Sequence, residues 1–230
     1  MKINVKHLAT FNLTVMAALI AMGCSSSSDD ASSGKAASQS KESSFQISSS
    51  SFTEIRPKKR ISKENTCYGE NLSPPLNWSG VPYGTKSFAL IVDDVDHRAG
   101  NWTHWVIYNI PSDTRGLATG IPTTTLILPD GTTQGTNDDR LPGYNGPCLP
   151  PVFVRWDDGE RGAKPEPPHR YVFTLYALDT TLTLGPGATR SKLFDAIQQH
   201  IIGQTETKSK SVGITVTDHK KELGMVTSTK

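Results

Sequence analysis

Long apolar runs are the first thing this chain lacks. The longest stretch, about Leu8 to Met22, is interrupted by Thr10, Asn12 and Thr14, whereas a spanning helix needs roughly 20 apolar residues. Charge of one sign is also missing, with Lys+Arg 24 against Asp+Glu 22. Setting aside Lys2 and Lys6, which precede the apolar stretch, lowers the 24 to 22 and balances the rest. A balanced domain has no basic footprint for nucleic acid, and the cluster Arg56-Pro57-Lys58-Lys59-Arg60 reads as a solvated patch. Two catalytic signatures are absent as well. No H-E-x-x-H and no close Cys/His spacing supports a zinc site, although His104, His169 and an aspartate are suitable ligand types. No G-x-S-x-G elbow presents a nucleophile. There is no internal repeat.

What the N-terminus does contain follows the order of an export signal. Lys2, Lys6 and His7 form a basic start, the apolar stretch follows, and small residues close it. The segment Ala21-Met22-Gly23-Cys24 resembles the lipobox of bacterial lipoproteins, with Ala21 where leucine is usual. The resemblance implies a signal peptide over residues 1–23, cleavage after Gly23 and a lipid on Cys24. No acidic residue directly follows Cys24, which in Gram-negative lipoproteins resembles outer-membrane sorting, facing the periplasm. Residues 24–51 are serine-rich and cannot bury enough apolar surface to offset their ordering entropy, so they read as a flexible tether. The expected globular domain is 52–227, long enough for one core.

Cysteine is scarce, at 3 residues. With Cys24 assigned to lipid, Cys67 and Cys148 remain. Export to an oxidising compartment favours their disulfide, and two unpaired thiols are the alternative.

Within the domain, short strands alternate with turns. Phe45 to Ile55 alternates weakly, and Ser73 to Thr85 is a proline- and glycine-rich connection. Lys86 to Val92 reads as a buried strand, His104 to Ile110 as the next, and Tyr171 to Leu178 as a central one. Leu126 to Leu128 could form a further short strand. Gly131 to Pro151 is turn-rich. One helix is expected over Ser191 to Ile202, with Leu193, Phe194, Ile197, Ile201 and Ile202 on one face and Gly203 as its stop. Many strands and one late helix predict a mainly β domain.

Polar residues gather at the ends of these strands. Asp93, Asp94, Asp96 and His97 follow the first buried strand, His104 opens the next, and His169 and Tyr171 open the central one. Between them Gly146 to Pro150 forms a glycine–proline loop. Each residue has an ordinary structural use. A lone histidine is more often a satisfied structural group than a ligand, aspartates bond their own turns, and Trp78, Trp102 and Trp105 suit packing. His97 and Arg98 read as loop surface, and His200 and His219 have no evident partner.

The ordered runs SPPLNWSGVP, KSFALIVDDVD, THWVIYNIP, GYNGPC and HRYVFTLYAL resemble the phosphatidylethanolamine-binding protein family, in its bacterial Raf-kinase-inhibitor-like branch. The resemblance covers about Asn71 to Leu178 and continues weakly through the helix near Phe194. It implies a two-sheet β-fold with a small helical element near the C-terminus and a small anion pocket. Carried over residue by residue, the pocket falls on Asp94, Asp96, His104, Gly146, Pro150, His169 and Tyr171. Val95 stands where the family's D-P-D segment has proline. Residues 151–168 are an insertion beside the expected pocket, containing Phe153, Arg155 and Trp156, and read as a lid or partner-binding loop.

These residue types suit an anion. Histidine donates from both ring nitrogens when protonated, Tyr171 donates its hydroxyl, and loop N–H groups add more. Asp94 and Asp96 would repel a bare anion, so they are expected to orient the histidines. The expectation is a non-catalytic binder of a phosphorylated small ligand or lipid head group, needing no metal and no cofactor. The alternative is an inhibitor or modulator docking on a protein partner, kinase- or protease-inhibitor-like.

Overall fold

The computed structural model of the protein describes residues 44–55, 58–155 and 161–211. The expected signal segment, Cys24, most of the tether, Trp156, His219 and the expected domain end at 212–227 lie outside the described residues.

In chain order the strands begin with β1 (Gln46–Ser48), β2 (Phe52–Ile55), β3 (Lys58–Ile61) and β4 (Leu76–Ser79). The long hydrophobic pair is β5 (Ser87–Asp94) and β6 (Trp102–Pro111). Short strands β7 (Gly116–Leu117) and β8 (Thr133–Gln134) follow, then β9 (Val152–Arg155) and β10 (Arg161–Lys164). The chain continues through β11 (Arg170–Leu178), α1 (Arg190–Ile197) and β12 (Ile201–Lys210). Seven strands form one sheet in the order β2-β3-β12-β11-β5-β6-β8, three form a second in the order β1-β4-β7, and β9 and β10 pair as a separate hairpin. The mainly β, two-sheet expectation holds, and β11 is central, between β12 and β5.

Side-chain alternation on β5, β6 and β11 divides the core in two. Phe88, Leu90, Val92, Trp105, Phe173 and Leu175 pack with Ile47, Leu76, Trp78 and Leu117 of the small sheet. Ala89, Ile91, Val106, Tyr108 and Leu178 face the other way and meet Leu193 and Ile197 of α1. Every residue of β5 is buried, which is why its apolar run is continuous rather than alternating.

Three sequence expectations change. The helix ends at Ile197, and Ile201 and Ile202 instead open β12, which pairs with β11 from Arg170↔Lys210 to Leu178↔Ile201. Only Leu193 and Ile197 of the helix are buried, while Phe194 is 40% exposed. The ordered fold also starts before Phe52. Gln46–Ser48, inside the stretch expected to be tether, pairs antiparallel with β4 and buries Ile47. Finally, the insertion carries the β9–β10 hairpin, with Phe153 opposite Ala163.

Cys67 and Cys148 form a disulfide with Cα atoms 5.3 Å apart and a separation of 81 positions in sequence. The Cys67 N–H also donates to the Pro147 carbonyl at 3.1 Å, so the glycine–proline loop is fixed twice. Closing a loop this long restricts the unfolded chain by an amount worth about 2–4 kcal/mol. Replacing both residues together, Cys67→Ser with Cys148→Ser, is expected to lower unfolding free energy by that amount in a denaturant titration. Equal midpoints for the two proteins would show that the bridge contributes no stability.

Candidate functional site

The site lies where β5, β6 and β11 end. Asp94 is the last residue of β5 and pairs in register with Tyr171 of β11. Alternation sends Asp93 and Asp94 to opposite faces. Asp93 turns toward the helix, accepting hydrogen bonds from Thr103 Oγ1 at 2.8 Å and Arg190 Nε at 2.9 Å. Asp94 turns toward the histidines.

His169, two residues before Tyr171, is buried, and its Nδ1 lies 2.6 Å from Asp94 Oδ2. A carboxylate only accepts, so Nδ1 carries the proton and donates. That fixes the ring and leaves Nε2 for whatever lies beyond. The other Asp94 oxygen, Oδ1, accepts the Asp96 N–H at 2.9 Å and closes a tight turn. Tyr171 is fully buried, and its hydroxyl is pushed up by burial first and by the charge and hydrogen bond of Asp94 next.

His104 reaches the site through an irregularity in β6. Val92 faces Trp105, but the next pair is Asp93 with Thr103, so His104 is one residue too many. Such a bulge re-aims a side chain and strengthens local twist. The His104 ring meets Tyr171 edge-on, with centroids 5.1 Å apart. Its Nδ1 lies 2.6 Å from the Asn145 carbonyl, which accepts. Burial, the largest influence, pushes the His104 pKa down despite that bond. The neutral ring therefore keeps its proton on Nδ1 and presents Nε2 as an acceptor.

The remaining expected residues divide. Asp96 does not bond a histidine. Its carboxylate takes the Arg170 backbone N–H at 2.9 Å and the guanidinium at 2.6–3.1 Å, and those side-chain bonds hold it down at about 2. Gly146 serves packing, because an added Cβ would lie 2.3 Å from the Asn65 carbonyl oxygen. Its N–H donates to Asn71 Oδ1 at 2.7 Å and so is engaged within the protein. Pro150 lines an open cavity of about 380 Å³ together with Leu149, Val152, Phe153, Glu166 and His169. His104 and Tyr171 are not among its lining residues. The structure thus gathers Asp94, His104, His169 and Tyr171 into one cluster, with His169 as the member that opens on this cavity.

Several residues escaped the sequence reading. Arg98, expected as loop surface, donates to both oxygens of Glu166 at 2.7 and 3.0 Å, and both residues line the cavity. Glu166 Oε1 also stands 3.6 Å from His169 Nε2. Its signal was present in Glu166-Pro167-Pro168-His169, a carboxylate held extended before proline and three residues from the histidine. Asn71 and Asn145 brace the loop through a hydrogen bond in which Asn71 Nδ2 donates to Asn145 Oδ1 at 2.8 Å. His200 has a partner after all, Asp179 Oδ1 at 2.9 Å. Among the described residues no group of His, Cys, Asp and Glu is arranged to hold a metal ion.

Two packed β-sheets with a histidine–aspartate cluster at one sheet end define the class, a β-rich protein with a small polar pocket. The chain belongs to the phosphatidylethanolamine-binding protein family, whose model matches residues 50–211. A UPF0098 protein of Methanothermobacter thermautotrophicus is 48% identical over 147 residues, covering 64% of this chain and 87% of that protein. A UPF0098 protein of Aquifex aeolicus is 43% identical over 150 residues, covering 62% of this chain and 79% of its own. Among solved structures, Escherichia coli YbcL, described as a new member of the mammalian family, aligns with a TM-score of 0.61 at 28% identity, over 74% of this chain and 98% of that one. A homologue of the family from Chlamydia trachomatis aligns with a TM-score of 0.57 at 32% identity, over 73% and 96%. Membership implies a ligand-binding or modulating role.

The lowered pKa of His104 has a consequence for stability. In the unfolded chain the imidazole titrates near 6.5, so on acidification the unfolded state takes up this proton first. The contribution of His104 is therefore complete above that value and is lost as pH falls below it toward the lower folded value. Thermal midpoints should fall between about pH 7.5 and about pH 5.5, and His104→Asn should flatten that decline. Parallel slopes for the two proteins would show that His104 is not the group responsible.

Proposed function

We propose that the protein is a non-catalytic binder of an anionic, phosphorylated small ligand or lipid head group, with His169 as the leading contact. One observation carries this reading. The Nδ1 of His169 is held by a buried carboxylate, and its Nε2 faces a cavity in which a second carboxylate already stands 3.6 Å away. That geometry marks a position favourable to negative charge, because a protonated imidazole donates there while Asp94 balances it from behind. Neutral His104 and Tyr171 would form the inner wall of the same cluster.

A charge-assisted hydrogen bond contributes roughly 1.5–3 kcal/mol. His169→Ala in the full chain is therefore expected to weaken phosphoethanolamine binding about tenfold or more, read by calorimetric titration. Equal affinity for the variant and wild type would remove His169 from the site.

A second reading, a modulator that docks on a protein partner, draws on the insertion. Phe153 stands 85% exposed on β9, and aromatic side chains are enriched in the cores of protein interfaces. Loss of a partner on Phe153→Ser, with phosphoethanolamine affinity unchanged, would favour that reading over the first.

The same proposal places the protein in a bacterial envelope, anchored to the outer membrane by a lipid on Cys24. The Ala21–Cys24 sequence and the serine-rich segment after it support this. Stable anchoring needs more than one acyl chain, as such a modified cysteine would supply. Cys24→Ser should move the protein from the membrane to the soluble envelope fraction. A variant that still sediments with membranes after a salt wash would overturn the anchor.

A further inference from the structure

The anion position beside His169 is already taken by a carboxylate of the chain itself. Glu166 Oε1 stands 3.6 Å from His169 Nε2, and Arg98 Nη2 reaches both Glu166 oxygens at 2.7 and 3.0 Å. The Glu166 side chain is 13% exposed and that of Arg98 is 68% exposed. The arginine therefore lies over the outer side of a carboxylate that is itself turned inward, toward the cavity and the histidine.

The backbone around Glu166 is stiff. Pro165 precedes it and Pro167 and Pro168 follow. Each proline fixes its own φ, and a residue before proline is kept extended. Glu166 is thus presented from a constrained segment, and clearing the position requires its side chain to rotate. Asp94 holds the opposite edge of the ring, so His169 lies between two carboxylates. Asp96 and Arg170 neutralise each other nearby.

We propose that Glu166 is the specificity-determining residue of the pocket, an internal competitor that any anion must displace from His169 and Arg98. This rests on the anion-binding reading of the same site. The competition selects by charge. A monoanionic carboxylate replaces the Glu166 contacts one for one and gains nothing to offset the loss of its own freedom. A phosphate dianion carries more charge and more acceptor oxygens, so it can hold His169 and the released Arg98 together. The ligand class is therefore a phosphate monoester or free phosphate in preference to a carboxylate.

The test titrates the full chain with inorganic phosphate, phosphoethanolamine and acetate, comparing wild type, Glu166→Gln, Glu166→Asp and His169→Ala. Glu166→Gln keeps the shape and removes the charge. It should bind phosphate at least about tenfold more tightly than wild type and should gain measurable acetate binding, since one opposing unit charge at close range has been removed. Glu166→Asp keeps the charge and should gain less than Glu166→Gln. If Glu166→Asp gains as much, side-chain bulk rather than charge governs entry, and the proposal fails. If Glu166→Gln binds phosphate no better than wild type while His169→Ala binds less, the internal competitor is refuted and the anion site stands. If neither wild type nor Glu166→Gln binds phosphate or phosphoethanolamine, both readings fall. A gain with phosphoethanolamine alone would place the recognised source of phosphate in a head group, and a gain with both would place it in the phosphate itself.

Discussion

The Asp94 carboxylate is 1% exposed at the end of a strand with no exposed residue. A buried charge is tolerated only when it is paired and hydrogen-bonded, and Asp94 meets that requirement by drawing in its surroundings. Its Oδ2 takes His169, which fixes the loop before β11, and its Oδ1 takes the Asp96 N–H, which fixes the turn after β5. Tyr171 stands beside it in register, and His104 packs edge-on against that tyrosine. Removing the carboxylate would release two segments and leave a buried imidazole N–H without its acceptor. The positions of the histidines therefore follow from the need to satisfy one buried carboxylate.

Much of this was legible because burial leaves a compositional trace. The continuous apolar runs of β5 and β11 and the β-branched and aromatic run of β6 announce buried strands directly. The residues at their ends were accordingly placed near one another. What escaped has a physical reason in each case. Strand β12, with Gln204, Thr205, Glu206 and Lys208, alternates exposed positions with half-covered or buried ones, and the buried ones are the polar Thr207 and Ser209, while its pairing with β11 is made by backbone groups that carry no side-chain signature. Its first residues, Ile201 and Ile202, continue the helical spacing of Leu193 and Ile197, so periodicity alone joins them to α1. The bulge at His104 is a register relation with another strand, which no local pattern encodes. Asp96 is expected beside the histidines because the resemblance places it in the pocket and a carboxylate would repel a bare anion, but neither consideration sets the direction of its side chain. Beyond Asp94 the chain turns, and Asp96 meets Arg170 instead.

The insertion changes what the pocket is. Pro151, Val152 and Phe153 supply apolar wall, and Glu166 supplies charge, so one inserted segment contributes both characters to a single cavity. The disulfide at Cys148 holds the start of that segment to Cys67, and His169 holds its end to Asp94. A hairpin pinned at both ends in this way costs less to order against a ligand than a free loop would.

The register of β5 binds this chemistry to the core. Because successive side chains point to opposite faces, a slip of one residue could move Asp93 into the place of Asp94 and Val92 into the place of Asp93. Asp93 would then face the histidines, and Arg190 at the start of α1 would lose its carboxylate. The same slip would turn Phe88, Leu90 and Val92 away from the small sheet, where they pack with Trp78 and Leu76. The packing of the two faces of β5 thus also chooses which aspartate holds His169.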